Sequence, residues 1–165
     1  MTGPLTATDE DVAAVTRLLG RPPAGRFRVE VRRPGGEPVV ILNEPRLDDG
    51  TPMPTLLWLV DPSLTRQVAR IESEGGVRRM ERAVDPVELR AAHDAYAARR
   101  DAMLAGGGPA PTGGVGGTRT GVKCLHAHLA NFLAGAEDPV GRLVAGECAL
   151  GDLVPSPPVH DRLSP

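Results

Sequence analysis

The stretch Phe27-Arg28-Val29-Glu30-Val31-Arg32-Arg33-Pro34-Gly35-Gly36-Glu37-Pro38-Val39-Val40-Ile41-Leu42 decides the fold. Phe27, Val29 and Val31 alternate with Arg28, Glu30 and Arg32, the period of two expected of a half-buried strand. Pro34-Gly35-Gly36-Glu37 is a turn, and Val39 to Leu42 is a second strand, so the two halves read as a hairpin. Thr55 to Val60 is an apolar run too short for a helix, and it predicts a third, more buried strand.

The flanks read as helices. Thr8 caps a helix to Leu19, with Asp9, Glu10 and Asp11 where the helix dipole favours acids and Val12, Val15, Leu18 and Leu19 at helical spacing. Asp61-Pro62-Ser63 stops the third strand and starts a helix over Leu64–Glu74, which Gly75-Gly76 breaks. A short amphipathic turn follows to about Ala83. Asp85-Pro86-Val87-Glu88 combines a capping acid, an N1 proline and a following glutamate, and predicts a helix to about Leu104. Two further helices are expected over Val122–Leu133 and from Pro139 to about Ala145.

The expected fold is therefore α+β: a small, mainly antiparallel sheet of about three strands covered by four to five helices. Residues 8–146 form the one domain. Residues 1–7 are a flexible N-terminus, and residues 106–121, nearly all Gly, Pro and Thr, read as a flexible loop. Residues 147–165 read as a mostly disordered proline-rich tail.

Composition narrows function. The net charge is −2 and aromatic residues are 2% of the chain, so neither an attracting field nor stacking platforms for nucleic acid are present. No apolar run approaches the roughly 18–20 residues that cross a bilayer, so no membrane insertion is expected. The first twenty residues lack a basic start followed by an apolar core, and two distant cysteines make no disulfide framework. A cytoplasmic location follows.

Chemistry concentrates in Gly121-Val122-Lys123-Cys124-Leu125-His126-Ala127-His128, which holds the only lysine, one of two cysteines and two of four histidines. On a helix starting at Val122, Val122, Leu125, Leu129, Phe132 and Leu133 form the buried stripe. Cys124 and His128 then share another side, and His126 joins them only if the helix begins later. Four readings stay open. Cys124 and His128 are two ligands of a zinc or iron site, with Cys148, His93, His160 or carboxylates completing it. Alternatively, Cys124 is a nucleophile favoured by the helix N-terminus, Lys123 and an imidazole. The helix start and its glycine loop can also bind an anion. In the plain structural reading, Cys124 is a small filler, His126 a satisfied core histidine and Lys123 a solvated charge.

Other motifs fall away. Gly116-Gly117-Thr118-Arg119-Thr120-Gly121-Val122-Lys123-Cys124 has P-loop-like spacing, but a valine precedes the lysine and no Ser/Thr follows it. Asp48-Asp49-Gly50 lacks the alternating acids of a calcium loop. The pairs Arg32-Arg33, Arg78-Arg79 and Arg99-Arg100 read as solvated faces, and His93 as a surface or packing histidine.

Three motifs in order carry a resemblance: Leu19-Gly20-Arg21-Pro22-Pro23, Pro45-Arg46-Leu47-Asp48-Asp49-Gly50-Thr51-Pro52-Met53-Pro54-Thr55-Leu56-Leu57-Trp58-Leu59, and Gly121-Val122-Lys123-Cys124-Leu125-His126-Ala127. Over roughly residues 8–146 the chain resembles an uncharacterised bacterial family, domain of unknown function 501, common in actinobacteria. The resemblance implies no established activity. Relatives tend to be encoded near a septum-formation initiator protein and an exopolyphosphatase-like enzyme, which implies a protein partner in cell division or phosphate metabolism. Relatives also often carry cysteines in the hairpin turn and just before the proline after the third strand. Here those places hold Pro34-Gly35-Gly36 and Asp61, so any metal set implied by the resemblance would use Asp61 as a substitute oxygen ligand beside Cys124 and His128.

The function expected from these readings is a non-catalytic binding or regulatory protein. The alternative is a small metal- or thiol-dependent enzyme in which Lys123, Cys124 and His128 do the work.

Overall fold

Alternation along the hairpin produces the antiparallel pair β1 (Phe27–Arg32) and β2 (Pro38–Asn43) in the computed structural model, which describes residues 6–104 and 106–155. The short strand β3 (Leu57–Leu59) pairs antiparallel with the other edge of β2, giving the order β1-β2-β3. Every residue of β2 is buried, because the sheet is covered on both faces. Val40 and Leu42 point into the main core, while Ile41 packs with Phe27, Val60 and Val15 on the opposite face.

Val15 belongs to α1 (Asp9–Leu19), whose start is fixed as its sequence predicts: Thr8 accepts from the Asp11 amide, and Asp11 returns a bond to Thr8. The main-core face is covered by α2 (Pro62–Ser73), α3 (Gly76–Ala83), α4 (Pro86–Ala102), α5 (Leu125–Leu133) and α6 (Pro139–Glu147). The α+β expectation holds, with six α-helices among the described residues. At nine residues α5 is too short to be stable by itself. Leu125, Leu129 and Leu133 are fully buried, and each contributes roughly 1.5–3 kcal/mol by leaving water. Docking on β3, α2 and α6 therefore holds this helix.

The glycine-rich segment differs from its sequence reading. Pro111, Gly113, Gly114 and Val115 are buried, and Val115–Gly117 forms a 3-10 turn against α4 and α5. Composition suggests a linker, but the buried face of α4 carries polar side chains that grip this backbone. Arg100, almost wholly buried, donates to the Gly113 carbonyl at 2.6 Å. His93 accepts the Val115 N–H at its Nδ1 (3.1 Å), so its Nε2 carries the proton and donates to the Gly121 carbonyl at 2.9 Å. Gly114 must be glycine because a Cβ there would stand 2.6 Å from that of His93.

The tail expectation also needs correction in its first part. Leu153 is buried, Ala149 is bonded to Gln67, and Arg33 donates to the Leu150 carbonyl. Residues 156–165 of the expected tail and residues 1–5 of the expected flexible N-terminus lie outside the described residues.

Burial holds the His93 pKa below its ordinary value, opposed by its bond to Gly121, while His128 adds a further lowering. A depressed folded pKa means that the unfolded chain binds the extra proton first. Stability from His93 is thus complete above about pH 6.5 and is lost as pH falls toward the folded value. Urea midpoints measured at pH 7 and pH 5 should fall more for the wild type than for His93→Gln, which cannot titrate. Equal falls would show that His93 does not contribute to acid sensitivity.

Candidate metal site at the start of the fifth helix

The sequence starts this helix at Val122, but the protein starts it three residues later. Two distant carboxylates cause the delay. Glu81 of α3 accepts the Val122 N–H at 2.8 Å, and Glu72 of α2 accepts the Leu125 N–H at 2.8 Å. Amides that would otherwise lie in the first turn of a longer helix are thereby satisfied outside it. Gly121 turns the chain with φ of 66°, and Cys124 stays extended as the N-cap (φ −148°, ψ 114°).

Once Cys124 is off the helix, the wheel no longer separates it from His126. Donor atoms of Glu72, Cys124 and His126 all lie within 4.8 Å of one another, and each residue is half-buried. His126 Nε2 faces the Thr65 carbonyl at 3.1 Å, which can only accept, so this nitrogen carries a proton. Nδ1 faces Glu72 Oε1 at 3.3 Å. The Cys124 sulfur, as hydrogen-bond partner, raises the His126 pKa most; burial opposes it, and Thr65 and Glu72 add to the rise, leaving it at about 9. Burial pushes the Cys124 thiol up, but the His126 hydrogen bond and the Ala127 amide more than offset this and lower it. Each shift favours the charged form of its own group: the thiolate for Cys124 and the imidazolium for His126.

The other expected site residues go elsewhere. His128 is fully buried and donates from Nδ1 to Asp138, 2.9 Å from each oxygen. Asp138 also caps α6 through the Gly141 N–H and accepts from Asn131, so this cluster ties α5 to α6. His128 packs edge-on to His93, with ring centroids 5.6 Å apart, and its Nε2 has no hydrogen-bond partner among the described residues. The expected pairing of Cys124 with His128 gives way to Cys124 with His126.

Asp61 caps α2 through the Leu64 N–H and binds Arg33 at 2.8 Å. It lies 11 residues before Glu72, about 16 Å along α2, so it does not complete the cluster. Lys123 is exposed and has no hydrogen bond or ion pair among the described residues. Both ring nitrogens of His93 are engaged, Cys148 ends α6, and His160 lies outside the described residues. The expected anion at the helix start is the protein's own, since Glu72 and Glu81 already hold those amides.

Chemically, the cluster offers one soft sulfur, one borderline nitrogen and one hard oxygen. A tetrahedral zinc needs ligands roughly 3.5 Å apart. Glu72 and His126 already meet this at 3.3 Å, and side-chain rotation of about 1 Å closes the rest. Thr65, bonded to Nε2, would be the outer partner that leaves Nδ1 to face an ion.

In the metal-free protein at pH 7, an alkylating reagent should label Cys124 well before Cys148, whose thiol burial pushes up. His126→Ala should slow labelling of Cys124 by about tenfold for each pKa unit regained. Peptide mass spectrometry over a time course gives both rates, and equal rates in the wild type would contradict the described pairing.

Comparison with curated proteins gives no match, and comparison with solved structures gives none. The family described as a protein of unknown function (DUF501) matches residues 29–146, which include Glu72, Cys124, His126 and the α4 residues that hold the glycine segment. On that match over well more than half its length, the chain belongs to the DUF501 family.

Proposed function

We propose that the chain is a non-catalytic, metal-binding regulatory protein in which Glu72, Cys124 and His126 hold a zinc ion. The observation that carries this reading is the convergence of three different donor atoms within 4.8 Å from two elements far apart in sequence. The mixed S, N and O set suits a borderline cation better than calcium or magnesium. A groove of about 760 Å³ lies between α4 and the α5–α6 junction, but none of the three donors lines it. The three donors are half-buried, which leaves them reachable by an ion from solvent.

Two free thiols fit a reducing compartment, which supports the cytoplasm as the setting. No helix among the described residues is long and apolar enough to cross a membrane. The family resemblance supplies the rest of the proposal: a protein partner in cell division or phosphate metabolism.

A second reading is supported by the ligand count. Three protein ligands leave a fourth position for water, the arrangement of hydrolytic zinc. In that case the zinc-loaded chain hydrolyses an activated ester and Cys124→Ala does not.

Elemental analysis after zinc loading and dialysis tests the site. The wild type should retain about one zinc per chain, and Cys124→Ala and His126→Ala close to none, since the ion needs all three ligands. Asp61→Asn should retain zinc. Cobalt should give a thiolate-to-metal absorption band that disappears in Cys124→Ala. Retention of zinc by His126→Ala, or none in the wild type, would overturn the assignment; iron in place of zinc would change the ion and keep the ligands.

A further inference from the structure

We propose that Cys124 is an oxidation site that makes the metal centre peroxide-labile: hydrogen peroxide converts its thiolate to sulfenic acid and the ion leaves. This inference rests on the zinc reading above.

The ligand set makes release follow from oxidation. Among the described residues the cluster holds one sulfur, beside one nitrogen and one carboxylate oxygen. Once that sulfur is oxidised, only His126 and Glu72 remain, and two protein ligands hold zinc weakly. A site with several cysteines would keep part of its soft donor set after one oxidation.

Access is built into the local backbone. Cys124 caps a helix at its edge and is half-buried, while the side chains of His126 and Glu72 are 25% and 29% exposed. Gly116 lies against it with φ of 65°, and a Cβ at that position would stand 3.4 Å from the Cys124 Cβ. A residue larger than alanine at position 116 would crowd this side of the cysteine. A molecule as small as peroxide needs no cavity to reach the sulfur.

The step balances without another reactant. The thiolate sulfur attacks one peroxide oxygen, an S–O bond forms and the O–O bond breaks. Sulfur gives up two electrons and keeps an OH group as sulfenic acid, while the other peroxide oxygen leaves as hydroxide, which buffer acid protonates to water. The cluster contains no second cysteine to capture the product as a disulfide, so it stops at a sulfenic acid that added thiol reduces. Cys148 is a poor competitor, because burial and the neighbouring Glu147 push its thiol up. Release also leaves the fold in place, since the Glu72 bond to the Leu125 N–H needs no metal. Reloading after reduction is therefore available.

The test uses full-length wild type and Cys148→Ala, both loaded with zinc, titrated with hydrogen peroxide in the presence of a chromogenic zinc chelator. Each should release about one zinc per chain, in step with a one-oxygen mass gain that maps to Cys124. Dithiothreitol should then restore zinc binding. Zinc that stays bound while peroxide is consumed, or a first oxygen found on Cys148 or a methionine, overturns the inference and leaves the metal site standing. Failure to load zinc at the outset removes the metal reading, and this inference with it.

Discussion

Capture of two backbone amides by two acidic side chains organises the functional end of this protein. Glu72 and Glu81 stand on α2 and α3, yet they hold Leu125 N–H and Val122 N–H, 53 and 41 residues away. An amide buried without a partner costs about 1–3 kcal/mol, and a carboxylate is a strong acceptor for it. The chain can therefore remain extended through Cys124 without losing what helix formation would supply. Had α5 begun at Val122, Cys124 would be fixed on the helix surface beside His128. The site exists because the helix starts late.

Holding that late start requires the approach to α5 to be rigid in position, and α4 supplies the grip. His93, Tyr96 and Arg100 share its buried face. Tyr96 accepts the Leu56 N–H at 2.7 Å ahead of β3, while His93 and Arg100 hold the glycine segment. Each is a polar group buried at no great penalty because its partner is a backbone group in need of one. One helix thus fixes the strand on which α5 docks and the segment that delivers Cys124. The buried His128–Asp138–Asn131 cluster secures the other end, where a Cβ on Gly141 would come within 2.3 Å of the His128 carbonyl oxygen. Here α5 and α6 touch backbone to backbone.

What was legible in the sequence follows the range of the forces involved. The alternation of β1, the apolar run of β2 and the caps at Thr8, Asp61 and Asp85 are local signals, and each sits where it was expected. The start of α5 was not legible, because the groups that set it are distant carboxylates. For the same reason the wheel chose His128 over His126. The glycine segment misleads in another way: its glycines read as freedom, but Gly114 is there for close approach to His93 and Val115 for burial. Composition cannot separate a glycine that loosens a chain from one that lets it pack. The signal that could have found Glu72 was its place on α2, near the end of a helix whose partner was unknown.

Glu72 also explains how fold and site can share an atom without conflict. Its Oε1 accepts from Leu125 and faces His126 Nδ1. A carboxylate oxygen offers about two lone-pair positions, so Oε1 could ligate through one while the other keeps the Leu125 amide bond. A cation at the cluster would displace the proton on His126 Nδ1, while the Thr65 carbonyl keeps the opposite nitrogen protonated. Without an ion, His126, its pKa raised to about 9, faces Glu72 and the Cys124 sulfur; an ion bound there would supply positive charge between the same two groups. A divalent ion would balance both anions where one imidazolium balances only one, and it would do so without rebuilding the start of α5, because the Glu72 bond to the Leu125 N–H needs no ion. Because the amide bond to Glu72 fixes where that carboxylate stands, the helix start and the ligand geometry are set by one contact.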